Sequence, residues 1–353
     1  MEENNDKEIF KKYCQKYIYQ PVILKNRRRI VVLGDIHGDY KLTLKLLKIA
    51  KVIEMYNNKI KWIGGDTIVV QIGDQIDRCR PINNKTCEDP FLIKNDEDSD
   101  IKILKLFTKL HEKAVKKKGA VISLIGNHEL LNVKGNMNYV SYEGLKGFEN
   151  YIDPENKEKK FKSGKEARIY AFKPGKEYGK LLACTRVPFV IIGSWLFVHG
   201  GIVPELLKKL NIKNKDNLKS INYIIRKWLL GLIDGKYISD IIGSFEYSIF
   251  WNRILGGIPP DVNFDNEKCI KYLKPVLNIL EINNMVIGHT PQYYKNGKGI
   301  NSTCENKLWR IDTGSSNAFN KFDPTYIYNN IKSINRHAQV LEIIDDKIIN
   351  VLK

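Results

Sequence analysis

The chain has 353 residues, 43% of them hydrophobic, which is enough to bury a substantial core and excludes global disorder. Lysine and arginine outnumber aspartate and glutamate by 58 to 40, and the formal charge of +18 favours anionic partners such as phosphoproteins, nucleotides, nucleic acid or an acidic membrane face. A Lys-, Asn- and Ile-rich composition of the kind A/T-rich coding produces would carry the same charge with no binding role.

No apolar run approaches the ~18 residues of a membrane-spanning helix, and Met1 to Lys12 is polar with no apolar leader core. The six cysteines (Cys14, Cys79, Cys87, Cys184, Cys269, Cys304) form no Cys-x-x-Cys pair and are scattered as in reduced intracellular proteins. A soluble, cytoplasmic protein without membrane insertion is the expectation.

In chain order, residues 30–33 form a β-branched run ending at Gly34-Asp35, the pattern of a buried strand emptying into a loop. Leu42, Leu44, Leu46, Leu47, Ile49 and Ala50 recur at helical spacing and predict a helix within 40–52. A second strand, 67–72, ends at Gly73-Asp74. Ile103, Leu104, Phe107 and Leu110 form the inward stripe of a helix over 101–114, and a third strand, 120–125, ends at Gly126-Asn127-His128. Residues 189–198 predict a hairpin around Gly193-Ser194 that delivers His199. Residues 284–287 lead to His289, and 308–311 lead to Asp312. A helix is expected over 215–233, and a closing hairpin turns at Asp345-Asp346.

Two polar stretches, near 79–100 and 151–180, read as inserted loops, and a single domain spanning 1–353 with its core at about 28–345 is expected. Strands alternating with helices define an α/β chain whose ligands gather at the carboxyl ends of the strands.

Four of the six histidines (His37, His128, His199, His289) lie inside these strand-end blocks. With Asp35, Asp74 and Asn127 they offer the oxygen and nitrogen donors that suit Mn, Fe or Zn. The economical assignment is one divalent ion on Asp35, His37 and Asp74, and a second on Asp74, Asn127, His199 and His289. Two ions about 3.5–4 Å apart can clamp a phosphoryl oxygen and supply hydroxide for in-line attack. His128 neighbours a ligand without needing to be one, so it is the candidate acid for the leaving group. Asp77 is placed to orient its other ring nitrogen. Arg78 offers a planar fork for phosphate oxygens.

The blocks GDIHGD, GDQIDR, GNHE, HGG and GHT resemble, in order, those of the calcineurin-like metallophosphoesterases and, within them, the phosphoprotein phosphatases. The match runs from residue 30 to about 315. This resemblance implies a β-sandwich flanked by helices, a dinuclear metal centre (manganese, iron or zinc) and phosphomonoester hydrolysis. It supports the same ligands, the His128–Asp77 acid pair and Arg78 on phosphate. Asp39 and the stretch GNHELLNVKGNMNYV are similar to the bacterial-type, Shewanella-like phosphatases, whereas the usual eukaryotic enzymes carry Gln at the place of Asp39 and Arg at that of Ile125. The family's second phosphate-binding arginine corresponds to Arg253 in Phe250-Trp251-Asn252-Arg253.

One departure stands out: Cys79 replaces the Gly that usually ends the Asp-Arg-Gly block, which restricts the backbone and is expected to shift Arg78. A Cys79–Cys87 pair clamping the loop is the alternative to reduced thiols. The expected activity is a metal-dependent protein phosphatase on phosphoserine/threonine or phosphotyrosine. The alternatives are a dinucleoside polyphosphate hydrolase, a nuclease and a non-catalytic phosphate-binding scaffold, and regulatory partners are unspecified.

Overall fold

Short runs of Val, Ile and Leu form the centre of the molecule because strands covered on both faces need no polar alternation. The computed structural model describes residues 2–57, 59–82, 84–320 and 336–353. Arg29–Leu33, Ile68–Gln71, Ala120–Leu124 and Arg186–Val187 pair in parallel in that order. The antiparallel hairpin Val340–Ile344 and Ile348–Leu352 extends the Arg29–Leu33 edge and completes a six-stranded sheet. A second six-stranded sheet runs in the order Ile23–Leu24, Phe189–Ile192, Trp195–Val198, Asn284–Ile287, Leu308–Arg310, Asn301–Thr303.

Side-chain alternation divides the core in two. Ile30, Val32, Ile68, Val70, Ile122 and Leu124 face the main core together with Val190, Leu196, Met285 and Ile287 of the second sheet. Their alternates Val31, Leu33, Val69 and Val121 face the opposite way, onto Leu42, Leu46 and Leu47 of the helix Tyr40–Ile49 and Ile103, Phe107 and Leu110 of the helix Asp100–Val115. The result is two stacked sheets flanked by helices. Asp39 starts the first of these helices by accepting from the Leu42 amide at 2.9 Å.

Among the described residues of 79–99 there is no helix or strand, apart from an isolated bridge between Ile82 and Lys85. Residues 151–180, read from the sequence as an inserted loop, are partly helical. They contain the helix Gly164–Phe172 and the start of the helix Glu177–Thr185, and bury Ala167, Arg168, Ala171 and Phe172. The Lys-rich composition had concealed this short inward stripe. An N-terminal helix, Glu2–Tyr13, had no apolar signature strong enough to read. It docks through Phe10 and a buried ion pair in which Arg226 Nε donates to Asp6 Oδ1 at 2.7 Å.

The cysteines require a correction. All six are joined, as Cys14–Cys184, Cys79–Cys87 and Cys269–Cys304. Partners lie 170, 8 and 35 residues apart. Only the fold brings the first and last pairs together, so spacing could not reveal them. The basis for expecting reduced thiols, and with it a cytoplasmic setting, is thereby removed. Among the described residues no helix is long and apolar enough to cross a membrane.

Cys14–Cys184 ties the N-terminal helix to the core, and in the chain-entropy picture a loop of this length is worth up to about 5 kcal/mol. Thiol titration of the denatured, unreduced protein is expected to find no free thiol. Cys14→Ser is expected to lower the unfolding midpoint, and the difference should vanish in reductant. Six titratable thiols would contradict the pairing.

Candidate active site

Register places the functional residues at one level. Leu33, Gln71 and Ser123 lie side by side across the three parallel strands, so their following loops leave the sheet together. Those loops carry Asp35 and His37, then Asp74 and Asp77, then Asn127 and His128. The second sheet adds His199, His289 and Asp312 just beyond Trp195–Val198, Asn284–Ile287 and Leu308–Arg310. His37, Asp74, Asp77 and His289 all adopt left-handed backbone, with φ of 47°, 52°, 74° and 65°. Non-glycine residues in that region cost on the order of 1 kcal/mol or more each and persist only where the surroundings enforce them. Gly126 is required for a different reason: a Cβ there would overlap the Asp74 carboxylate and amide.

Glu129 does much of the enforcing. Its carboxylate accepts from the Asp74 amide at 3.0 Å, the Gln75 amide at 2.8 Å and the Gly126 amide at 2.7 Å, binding the second and third loops together. Burial and the Asp74 charge raise its carboxyl to about 7, against the opposing pull of these amides.

The candidate ligands converge. His37, Asp74 and His128 form one buried donor cluster, and Asp74, His199 and His289 form another. Asp74 belongs to both: its Oδ2 lies 3.8 Å from His37 Nε2, 3.9 Å from His128 Nε2 and 3.3 Å from His199 Nε2. His199 Nε2 is also 3.0 Å from Asn127 Oδ1, and its Nδ1 donates to the Ile72 carbonyl at 3.0 Å. Asp35 Oδ2 accepts from the His289 amide at 3.0 Å.

Three buried atoms, Asp35 Oδ1, His289 Nε2 and Asp312 Oδ2, have no protein hydrogen-bond partner. Buried acceptors without donors are the expected signature of ligands for a cation. Burial, then the charges of Asp312 and Asp74, push the Asp35 carboxyl well above its usual range. Burial raises Asp312 to about 6. His37 and His289 are pushed well below their ordinary value by burial and by the nearby guanidinium of Arg80 or Arg253 respectively. Neutral imidazoles are the form that ligates metal. Burial opposes ionisation of Asp74, but the charges of His199 and His128 outweigh it and hold the carboxyl well below its usual value.

His128 Nδ1 lies 2.8 Å from Asp77 Oδ2, and Asn132 Nδ2 donates to Asp77 Oδ1 at 2.8 Å. Behind this pair sits Arg168, fully buried on the helix Gly164–Phe172. Its Nε donates to Asn132 Oδ1 at 2.9 Å and its Nη2 to Asp100 Oδ2 at 2.6 Å, with Asp77 Oδ1 3.7 Å away. Reading the sequence missed Arg168. An arginine between Ala167 and Ala171-Phe172 in a helix was the available signal. Asp312 and Glu129 were likewise absent from the predicted site, although strand 308–311 pointed at the former and the GNHE block contained the latter.

The arginines are placed differently from expectation. Arg253 lines the pocket and donates to the His289 carbonyl at 2.8 Å. Arg78 does not line it. Its buried guanidinium has Nη1 3.1 Å from Glu97 and 3.7 Å from Asp39, and Nη1 donates to the Gly38 carbonyl at 3.1 Å. The expected place of Arg78 on the site wall is thus not what the structure shows: its guanidinium lies among the carboxylates of Glu97, Asp39 and Asp96. Arg80 enters the pocket instead. The cavity measures about 520 Å³, with His37, Asp74, Asn127, His128, His289 and Asp312 on its floor and Tyr139, Trp251, Tyr294 and Phe319 among its walls.

Residues 28–328 match the family described as calcineurin-like phosphoesterase, and the chain belongs to that family. An uncharacterized protein of Acanthamoeba polyphaga mimivirus is 41% identical over 258 residues, covering 70% of this chain and 97% of that one. Shewanella-like protein phosphatase 1 of Plasmodium berghei is 30% identical over 332 residues, covering 93% and 77%. The crystal structure of a cold-active protein-tyrosine phosphatase from a Shewanella species superposes with a TM-score of 0.63 at 20% identity, covering 96% of this chain and 84% of that one, and shares the fold. As a member of this family the chain is a phosphoesterase, a hydrolase.

Removing the Arg168 charge would strand the buried Asp77 and Asp100 carboxylates. Arg168→Met is expected to destabilise the protein by about 3–5 kcal/mol at pH 7 in urea unfolding. Burial already raises the Asp100 carboxyl, with Arg168 the main opposing charge. A carboxyl with a raised folded pKa binds its proton more tightly when folded, so stability falls as pH rises through that window. The deficit should accordingly shrink as pH drops toward the raised Asp100 value. A variant as stable as the parent at pH 7 would show that neither carboxylate depends on the guanidinium.

Proposed function

We propose that this phosphoesterase is a metal-dependent protein phosphatase acting on phosphoserine/threonine or phosphotyrosine. The observation that carries the proposal is the opening of the 2.8 Å His128–Asp77 pair onto the same pocket as two donor clusters that share Asp74. Shewanella-like protein phosphatases among the relatives support the substrate class.

Asp35, His37 and Asp74 would hold one divalent ion, and Asp74, Asn127, His199 and His289 a second, with Asp312 beside the first; manganese is the metal to supply. When bound, such a pair polarises the phosphoryl oxygens and lowers the pKa of the attacking water. The chain's own residues do the rest. Asp77 accepts from His128 Nδ1 and so fixes the ring with Nε2 toward the pocket, where Nε2 delivers a proton to the leaving alkoxide. Arg253 approaches from the His289 side and orients the phosphoryl group. The buried floor restricts water to the reacting face. Three disulfides suit assembly in an oxidising compartment rather than a reducing cytosol.

Manganese-supported hydrolysis of p-nitrophenyl phosphate is expected for the parent and lost in Asp74→Asn, which also should bind less metal by calorimetry. His128→Asn is expected to lower kcat on phosphoserine peptides by roughly 10²–10⁴-fold, and less on p-nitrophenyl phosphate, whose leaving group needs little protonation. Equal rates in all three proteins would refute the proposal. Preference for diadenosine tetraphosphate over phosphopeptides would replace the substrate class.

A further inference from the structure

Arg80 is a buried guanidinium whose surroundings hold it in place without neutralising it. Nη1 donates to the carbonyls of Asp77 at 3.2 Å and Cys79 at 2.7 Å. The guanidinium lies over the Phe319 ring at 4.7 Å and the Tyr139 ring at 5.5 Å. Nη2 is 3.0 Å from His37 Nδ1 and 2.9 Å from His37 Nε2. An atom so close to both nitrogens must sit over the ring face, because in the plane it would collide with the carbon between them. The in-plane lone pair of His37 stays available, and Arg80 leans on the imidazole as a stacked cation rather than as its hydrogen-bond partner.

No ion pair joins Arg80 to a carboxylate among the described residues, in contrast to Arg78, which has Glu97 at 3.1 Å, and Arg168, which has Asp100 at 2.6 Å. A cation kept from water without an anion is costly unless an anion arrives. The chain spends two devices on holding it there. Cys79, bonded to Cys87, precedes it, and Pro81, with its fixed φ, follows it. It faces the pocket from the His37 side, while Arg253 faces it from the His289 side.

We propose that Arg80, in place of Arg78, is the guanidinium that binds the transferred phosphoryl group opposite Arg253, and that the Cys79–Cys87 ring presents it. Arg78 instead fastens the loop through Asp39 and Glu97. Replacing the usual glycine with Cys79 thus moves the phosphate-binding role two residues along the chain. The assignment rests on the proposed phosphatase reading.

The test is tungstate, a phosphate-shaped oxyanion, titrated into the manganese-loaded protein by calorimetry, with KM and kcat measured on a phosphopeptide. A charge-assisted hydrogen bond is worth roughly a 10–100-fold change in binding. Arg80→Met is expected to weaken tungstate by about that factor and raise KM in parallel, with manganese binding retained. Arg80→Lys, which keeps the charge but not the fork, should fall in between; it carries the test if the Met variant does not fold. Arg78→Met is expected to lower the melting temperature yet leave tungstate affinity within about twofold of the parent. Parental tungstate affinity in both Arg80 variants, or the loss appearing in Arg78→Met instead, overturns the assignment. A parent protein that hydrolyses no phosphomonoester overturns the underlying phosphatase reading, an outcome distinct from active variants that bind tungstate unchanged.

Discussion

Asp74 is the point on which the site converges. One buried carboxylate faces three imidazoles at 3.3–3.9 Å, in a left-handed backbone conformation that a non-glycine residue does not adopt unaided. Its amide is held by Glu129, and its Oδ1 accepts from the His128 amide at 3.0 Å. Moving Asp74 would therefore move the Asn127-His128 loop as well. The close approach of Gly126 leaves no room for such a shift, which makes the two loops one rigid unit. Positioning a charge this tightly inside the protein is the kind of preorganisation that hydrolysis of a stable phosphoester needs.

The electrostatics are local and run against the net charge of the chain. Asp35, Asp74, Asp312 and Glu129 are all buried at or beneath the pocket floor, in a protein carrying +18 overall. Burial and mutual repulsion raise three of them, and the imidazoles hold down the fourth. Such a floor attracts cations. In the proposed reading, the guanidiniums of Arg80 and Arg253 would draw an anionic substrate toward it. Arg168 serves the same arrangement from behind, where it balances Asp100 and braces Asn132 against Asp77.

Much of this was legible in the residues. The three parallel strands, their helices, the 189–198 hairpin and the closing hairpin all carry strong local patterns, and the structure forms them within a few residues of expectation. The blocks at the strand ends contain most of the residues of the pocket floor and of the two donor clusters. What failed had a common cause. Arg78 and Arg80 differ by two positions in one loop, and their directions depend on carboxylates supplied by Asp39 and Glu97 and on rings supplied by Tyr139 and Phe319. The helix holding Arg168 lay in a Lys-rich, weakly periodic stretch that read as an inserted loop.

The sequence by itself determined the order of the core strands and the helices beside them, because burial imposes a period on apolar residues that survives in one dimension. It also pointed to a candidate donor set, because glycine-flanked Asp, Asn and His at strand ends have few other uses. Only the tertiary structure decided which arginine faces the pocket, which cysteines are bonded and how the acid pair is supported. Those outcomes depend on partners as far as 170 residues apart, and no local pattern encodes which distant groups compete for the same charge or thiol.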